Sequence, residues 1–178
     1  MPPRQLQMRR PHLTDLPAAP DLPEGYLLRT FERGDSEDDL RATLQSAFPE
    51  TAWTVQGVQE QLTASPLVKA TYVVVRDNVP VAVTASRYDP DRYPGTGYVH
   101  WVGTHADHTR RGLGMALMVR VLNDFAERGY QDAILETDDF RIPAIRSYFR
   151  CGFVPVTEVD GVSHWDRWSS VLPKLFVR

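Results

Sequence analysis

Gly97-Tyr98-Val99-His100-Trp101-Val102-Gly103-Thr104-His105-Ala106-Asp107-His108-Thr109-Arg110-Arg111-Gly112-Leu113-Gly114 is the stretch that decides the fold. It opens as a strand, with Tyr98, His100 and Val102 expected on one face and Val99 and Trp101 on the other. It ends in a basic, glycine-containing turn that leads into a helix. Leu113, Leu117, Val121 and Phe125 recur every fourth residue with Met118 and Leu122 beside them. Arg120, Asn123, Asp124, Glu127 and Arg128 fall on the opposite face, and Gly129 follows where a left-handed cap is favoured. A strand, a glycine turn and a helix start together make an anion site from backbone N–H groups. Gly112 and Gly114 remove the side chains that would keep a phosphate from those amides.

Working outward, 178 residues with 42% hydrophobic and 24% charged side chains suffice for one domain with a core, and are short for two. A net charge of −3 carries no nucleic-acid footprint. The lone cysteine, Cys151, excludes an internal disulfide framework and a cysteine-based zinc site, and no metal is expected. No apolar run approaches a membrane span, and Arg4, Arg9 and Arg10 are not followed by a signal-peptide core. The expectation is a cytoplasmic protein with no membrane and no nucleic-acid partner, a homodimer being left open.

Six of the 14 prolines lie in residues 1–25, which reads as an extended tail or linker that Leu6, Met8, Leu13 and Leu16 could pin to the body. Tyr26 to Phe31 reads as a strand. Asp35 or Ser36 caps a helix carrying Leu40, Leu44 and Phe48, and a short helix from Val55 to Leu62 follows. Ala70–Val75 and Val81–Ser86 form a hairpin across Asp77-Asn78, with a loop from Tyr88 to Thr96. After the organising stretch come a strand from Gln131 to Thr137, a helix with Pro143 in its first turn, and two closing strands, Phe153–Glu158 and Trp165–Leu172, across Asp160-Gly161. The order predicts one α/β (mixed α+β) domain with a single mixed sheet flanked by helices.

The turn lacks the third glycine of a dinucleotide fingerprint and the Lys-Ser/Thr of a Walker loop. Arg110-Arg111-Gly112-Leu113-Gly114 resembles instead the pyrophosphate loop of the GNAT N-acetyltransferase superfamily, Q/R-x-x-G-x-G/A. The stretch from Arg141 through Ala144 and Tyr148 to Gly152-Phe153 is similar to that superfamily's second signature, N-x-x-A-x-x-x-Y-x-x-x-G-F. The resemblance spans roughly residues 25–160, and the Pro-rich leader is similar to that of a bacterial-type subgroup. Thr109 and Arg141 depart from the first residue of each signature.

The resemblance implies a GNAT domain over 26–178, a twisted sheet of about six or seven strands with about four helices, and splaying between its fourth and fifth strands. It implies acetyl-coenzyme A as acyl donor and an amine as acceptor, joined by direct attack in a ternary complex. The donor would be held by Val102, Gly103, Thr104, Thr109, Arg110, Arg111, Gly112, Leu113, Gly114, Met115, Arg141 and Ala144. The pantetheine would pair with the Val102–Thr104 edge, a free N–H near Val102 would polarise the carbonyl, and Gly103 would permit a bulge. Tyr148 would protonate the departing thiolate; the alternative is a buried aromatic. His100 would act as base, since an unperturbed imidazole titrates near 6.5; alternatively it is a satisfied core or surface histidine. Glu136, Asp138 and Asp139 are further candidates, Asp139 also as a helix cap. Cys151 reads as a packed thiol, Trp165 and Trp168 as edge packing. The other function class compatible with the sequence is a GNAT-fold module that holds acetyl-coenzyme A without efficient turnover. The acceptor would be gripped by the loops at Pro49–Pro66 and Tyr88–Thr96.

Overall fold

A sheet with apolar side chains on both faces needs a helical layer on each, and Tyr72-Val73-Val74-Val75 supplies both faces from one strand. Tyr72 and Val74 are buried in one core cluster, Val73 and Val75 in the other. In the computed structural model, which describes residues 5–176, the main strands are β1 (Leu6–Arg10), β2 (Tyr26–Thr30), β3 (Val68–Arg76), β4 (Val79–Arg87), β5 (Thr96–Thr104), β6 (Asp132–Thr137) and β7 (Val154–Val156). They form one sheet in the order β2-β3-β4-β5-β6-β1-β7. Among the described residues β5 and β6 are its one parallel pair, and the other neighbours are antiparallel. Helices α1 (Glu37–Ala47) and α2 (Val55–Val58, continued by a π-turn at Gln59–Thr63) cover one face. Helices α3 (Leu113–Glu127), α4 (Ile142–Arg150) and α5 (Trp165–Val171) build the core on the other. A small hairpin of β8 (Glu158–Val159) and β9 (Val162–Ser163) precedes α5.

Local chemistry sets the ends of these elements. Ser36, rather than Asp35, caps α1 by accepting from the Asp39 N–H at 3.1 Å. Asp35 instead takes the Arg29 guanidinium at 2.6 Å. Asp77 and Asn78 both adopt positive φ, 52° and 63°, which suits a tight hairpin turn between twisted strands. No helix among the described residues is long and apolar enough to cross a membrane.

Two expectations are overturned. The leader is not merely a tail: Leu6–Arg10 is an interior strand, paired with β6 on one side and β7 on the other. Leu6 and Met8 are fully buried, and Arg9 reaches Asp132 with Nε at 2.7 Å. The prolines that made the segment look like a linker fall outside these five residues, so the ladder loses no donor. At the other end, Trp165–Leu172 is not a closing strand. Trp165–Val171 is helical, because Trp168 and Val171 recur at a spacing of three and are both fully buried. The described residues therefore form five α-helices. Trp168 is core, with Nε1 donating to the Val156 carbonyl at 3.1 Å, whereas Trp165 faces solvent.

The seam between β5 and α3 is made by Gly97. A Cβ there would lie 2.5 and 2.6 Å from Cδ2 and Cδ1 of Phe125, a ring with no exposed surface. The aromatic face thus lies directly on the strand backbone, and there is no flexible group to move aside. Gly97→Ala should cost about 2 to 3 kcal/mol, the upper part of the range for overpacking, seen as a lower urea midpoint at unchanged m-value. A midpoint equal to that of the unsubstituted chain would contradict this packing.

Candidate active site

β5 pairs with β6 only through Thr96, Gly97 and Tyr98. Beyond Tyr98 the strands part, because β5 carries a bulge on its other edge. Val83 pairs with Gly103 and Ala85 with His100, so Thr84 faces two residues, Trp101 and Val102. Trp101 adopts φ 52°, a conformation that costs a non-glycine residue on the order of 1 kcal/mol or more. Its ring is held edge-on by Phe48 and Trp53, with centroids 4.9 and 4.8 Å away. Such pairs contribute about 0.5–1.5 kcal/mol each, enough to offset the strain.

The bulge changes the faces read from strict alternation. Val102 joins Val99 in the α3-side core, while Trp101 packs on the α1 side. Val102 and His100 therefore do not share a face. Nor does Gly103 make the bulge. A Cβ there would lie 2.7 Å from Phe48 Cε2 and 3.0 Å from the Ala47 side chain, so Gly103 admits the C-terminal end of α1 against the strand.

Next in the chain is the loop. The first backbone bond of α3 runs from the Ala116 N–H to the Gly112 carbonyl, which leaves the amides of Leu113, Gly114 and Met115 without helix partners. Arg110 (φ 60°) and Gly112 (φ 78°) take left-handed backbone, turning the chain so that these amides face outward. The groove in front of them has a volume of about 660 Å³. It is lined by every residue expected to hold the donor except Arg111, whose guanidinium donates to the Asp107 carbonyl at 2.6 Å. Thr109 turns its hydroxyl to the Ala106 carbonyl. Pro20, from the leader, also lines the groove, which the sequence did not signal. His108 lines it as well and is within hydrogen-bond distance of the Tyr26 hydroxyl, 2.9 Å from Nδ1.

A second cavity, about 200 Å³, opens where β5 and β6 part. His100 lines it, with Tyr98, Trp101, Glu136, Asp138 and Thr137. Burial, reinforced by the nearby Arg87 charge, pushes the His100 imidazole down to about 3. It is thus neutral across the physiological range. The Tyr98 hydroxyl is pushed well up by burial and by Glu136, to which it donates at 3.0 Å. Asp138 accepts from Gln5 at 3.1 Å and from Arg141 Nε at 3.2 Å. Arg141 also pairs with Glu50 and lies over the Phe48 ring at 4.5 Å, so its guanidinium is already engaged. Asp139 caps no helix; it pairs with Arg167, which lowers its pKa.

Tyr148 lies on α4 with 6% of its surface exposed, and burial pushes its hydroxyl up to about 12. Among the described residues that hydroxyl has no protein partner. Cys151 is fully buried, with Sγ 3.2 Å from Met115 Sδ and its pKa pushed up to about 11. A thiol so buried is a poor nucleophile. Tyr148, Val102, Arg141 and Ala144 line both the groove and the cavity.

Comparison with known proteins identifies the family. The profile of the Acetyltransferase (GNAT) family matches residues 37–153. A mycothiol acetyltransferase of Thermobispora bispora is 34% identical over 157 residues, which is 83% of this chain and 52% of that protein. Another, from Actinosynnema mirum, is 33% identical over 162 residues, covering 84% and 52%. The chain thus spans about half the length of these curated relatives. The solved GCN5-related N-acetyltransferase of Sphaerobacter thermophilus superposes with a TM-score of 0.65 at 23% identity, over 86% of this chain and 50% of that one. With a parted β5–β6 pair, a glycine turn of free amides at the start of α3 and a matching profile over most of its length, the chain belongs to the GNAT acetyltransferase family.

Proposed function

We propose that the chain transfers an acetyl group from acetyl-coenzyme A to a primary amine by direct attack in a ternary complex. The observation that carries this reading is that groove and cavity meet at Val102, Arg141, Ala144 and Tyr148, so a donor in one and an amine in the other come together there. The amides of Leu113, Gly114 and Met115 hold the pyrophosphate, as helix N-termini do. The β5 edge from Val102 to Thr104, which lacks a strand neighbour on the β6 side, pairs with the pantetheine arm, and one of its amides polarises the carbonyl. A C–N bond forms as the C–S bond breaks.

Tyr148 donates to the departing sulfur. With its hydroxyl near 12 and an ordinary thiol near 8.5, full proton transfer is uphill by roughly 3 to 4 pKa units, so its main contribution is a hydrogen bond to the developing thiolate. His100, held neutral, accepts a hydrogen bond from the incoming amine. An imidazole near 3 cannot keep the proton of an ammonium whose ordinary pKa is about 10. The carboxylate of Glu136, reached through the cavity wall beside Tyr98, takes it onward to solvent.

Amine-dependent release of free coenzyme A thiol tests the activity, and Tyr148→Phe tests the donor. The variant should retain acetyl-coenzyme A affinity and lose on the order of 10²-fold in kcat. Thiol release that does not depend on added amine would refute the transferase reading, and unchanged kcat in the variant would leave Tyr148 a packing residue.

The His100 pKa also has a sign that can be checked. The folded value, about 3, lies below the unfolded value near 6.5. Between these the unfolded chain binds a proton that the fold does not. The stability from this group is complete above about pH 6.5 and is lost as pH falls toward 3. Urea midpoints should therefore decline below about pH 6.5, and His100→Gln should flatten that decline. Equal slopes in the two proteins would contradict a neutral, buried His100.

A further inference from the structure

Glu136 is a wall of a further cavity besides the one beside His100. A smaller cavity of about 140 Å³ is lined by Gln5 and Gln7 from the leader, Arg92 from the Tyr88–Thr96 loop, Glu136, Val159 and His164. Gln5 and Glu136 are walls of both cavities. The wall of the smaller one includes a residue with a polar group the fold does not use. His164 is 4% exposed, and its Nε2 has no hydrogen-bond partner among the described residues. Its Nδ1 lies 3.4 Å from an Arg167 nitrogen. Arginine only donates, so Nδ1 accepts and Nε2 carries the hydrogen. A buried N–H left unsatisfied costs about 1–3 kcal/mol.

The other walls fix what would satisfy it. Gln5 gives its amide hydrogen to Asp138 at 3.1 Å and Gln7 gives its own to the Tyr93 hydroxyl at 3.0 Å, which leaves carboxamide oxygens as acceptors. Arg92 and Glu136 pair with each other at 3.3 Å, so the cavity presents no uncompensated charge. In the first cavity, Thr137 is 2% exposed with its hydroxyl likewise unpartnered. We propose that the smaller cavity is a subsite for the acceptor. It takes a neutral group that both accepts from His164 Nε2–H and donates to a glutamine oxygen, namely a hydroxyl or a carboxamide carried at a distance from the reacting amine. An alkyl end would leave Nε2 orphaned, and a carboxylate would find no uncompensated cation to offset its charge.

The subsite rests on the acetyl-transfer reading, and one experiment separates the two. The probes are primary alkylamines of graded length ending in methyl, hydroxyl, carboxamide or carboxylate, assayed with the full chain and acetyl-coenzyme A. At one length the hydroxyl or carboxamide amine should show roughly 10-fold lower KM than the methyl one, the value of a hydrogen bond to a buried donor, with little change in kcat. Whichever of the two ends shows the preference identifies the source of the group. His164→Asn, too short to present a donor there, should bring the ratio toward one. His164→Gln, whose amide reaches the place of Nε2, should restore it. A wild-type ratio near one, or an unchanged ratio in His164→Asn, overturns the subsite alone. Transfer to none of the amines, with acetyl-coenzyme A still raising the melting temperature, overturns the transferase reading and the subsite with it. If His164→Asn does not fold, the wild-type preference decides.

Discussion

The wedging of Trp101 between Phe48 and Trp53 is the constraint from which the site follows. A tryptophan in left-handed backbone persists only where its surroundings over-determine it, and here two rings from the α1–α2 layer do so. That one residue adds the extra count on β5, bends the strand away from β6 and turns Val102 toward α3. The parting of the strands opens the cavity in which His100 is desolvated. The parted β5 edge, the neutral imidazole and the meeting point at Tyr148 are thus consequences of a single local distortion. The apolar layers on either side hold it in place.

The leader supplies the second support. Arg10, at the end of β1, is 4% exposed and donates through Nη1 to the Cys151 carbonyl, and through Nη2 to Asp15 at 2.8 Å. Its charge therefore sits at the C-terminal end of α4, where the helix dipole favours a cation. Gly152 is required there twice over. Its φ of 78° is left-handed, and a Cβ would overlap the Arg10 guanidinium. Phe153 then turns back under Tyr148, with rings 6.4 Å apart. The strand that looked like a linker thus fixes the helix that carries the proposed donor to sulfur, and the same segment brings Gln5 and Gln7 to the wall of the smaller cavity.

Much of this was legible in the chain because it is written in periodicity. The four-residue recurrence from Leu113 to Phe125 and the β-branched run before Asp77-Asn78 each have one reading, and the folded chain agrees. What escaped is of a different kind. Leu6-Gln7-Met8 alternates correctly, but five residues among prolines give too short a signal beside the composition of the whole leader. Trp165, Trp168 and Val171 lie three apart, a helical spacing that aromatic content disguised as strand. The bulge at Trp101 is invisible to pattern, since a positive φ at tryptophan is imposed by Phe48 and Trp53, residues some fifty positions away. For the same reason alternation placed Val102 beside His100, and nothing in the sequence distinguished His164 from any other surface histidine.

Amide hydrogen exchange with and without coenzyme A tests the central claim most directly, because the parted edge of β5 is backbone and reports on itself. Added coenzyme A should slow exchange at Val102, Gly103 and Thr104 and at Leu113 to Met115, while Thr96 to Tyr98, already paired with β6, should not change. Protection confined to the α3 amides, with Val102–Thr104 exchanging as before, would contradict the account, since the bulge would then open a gap that the donor does not use.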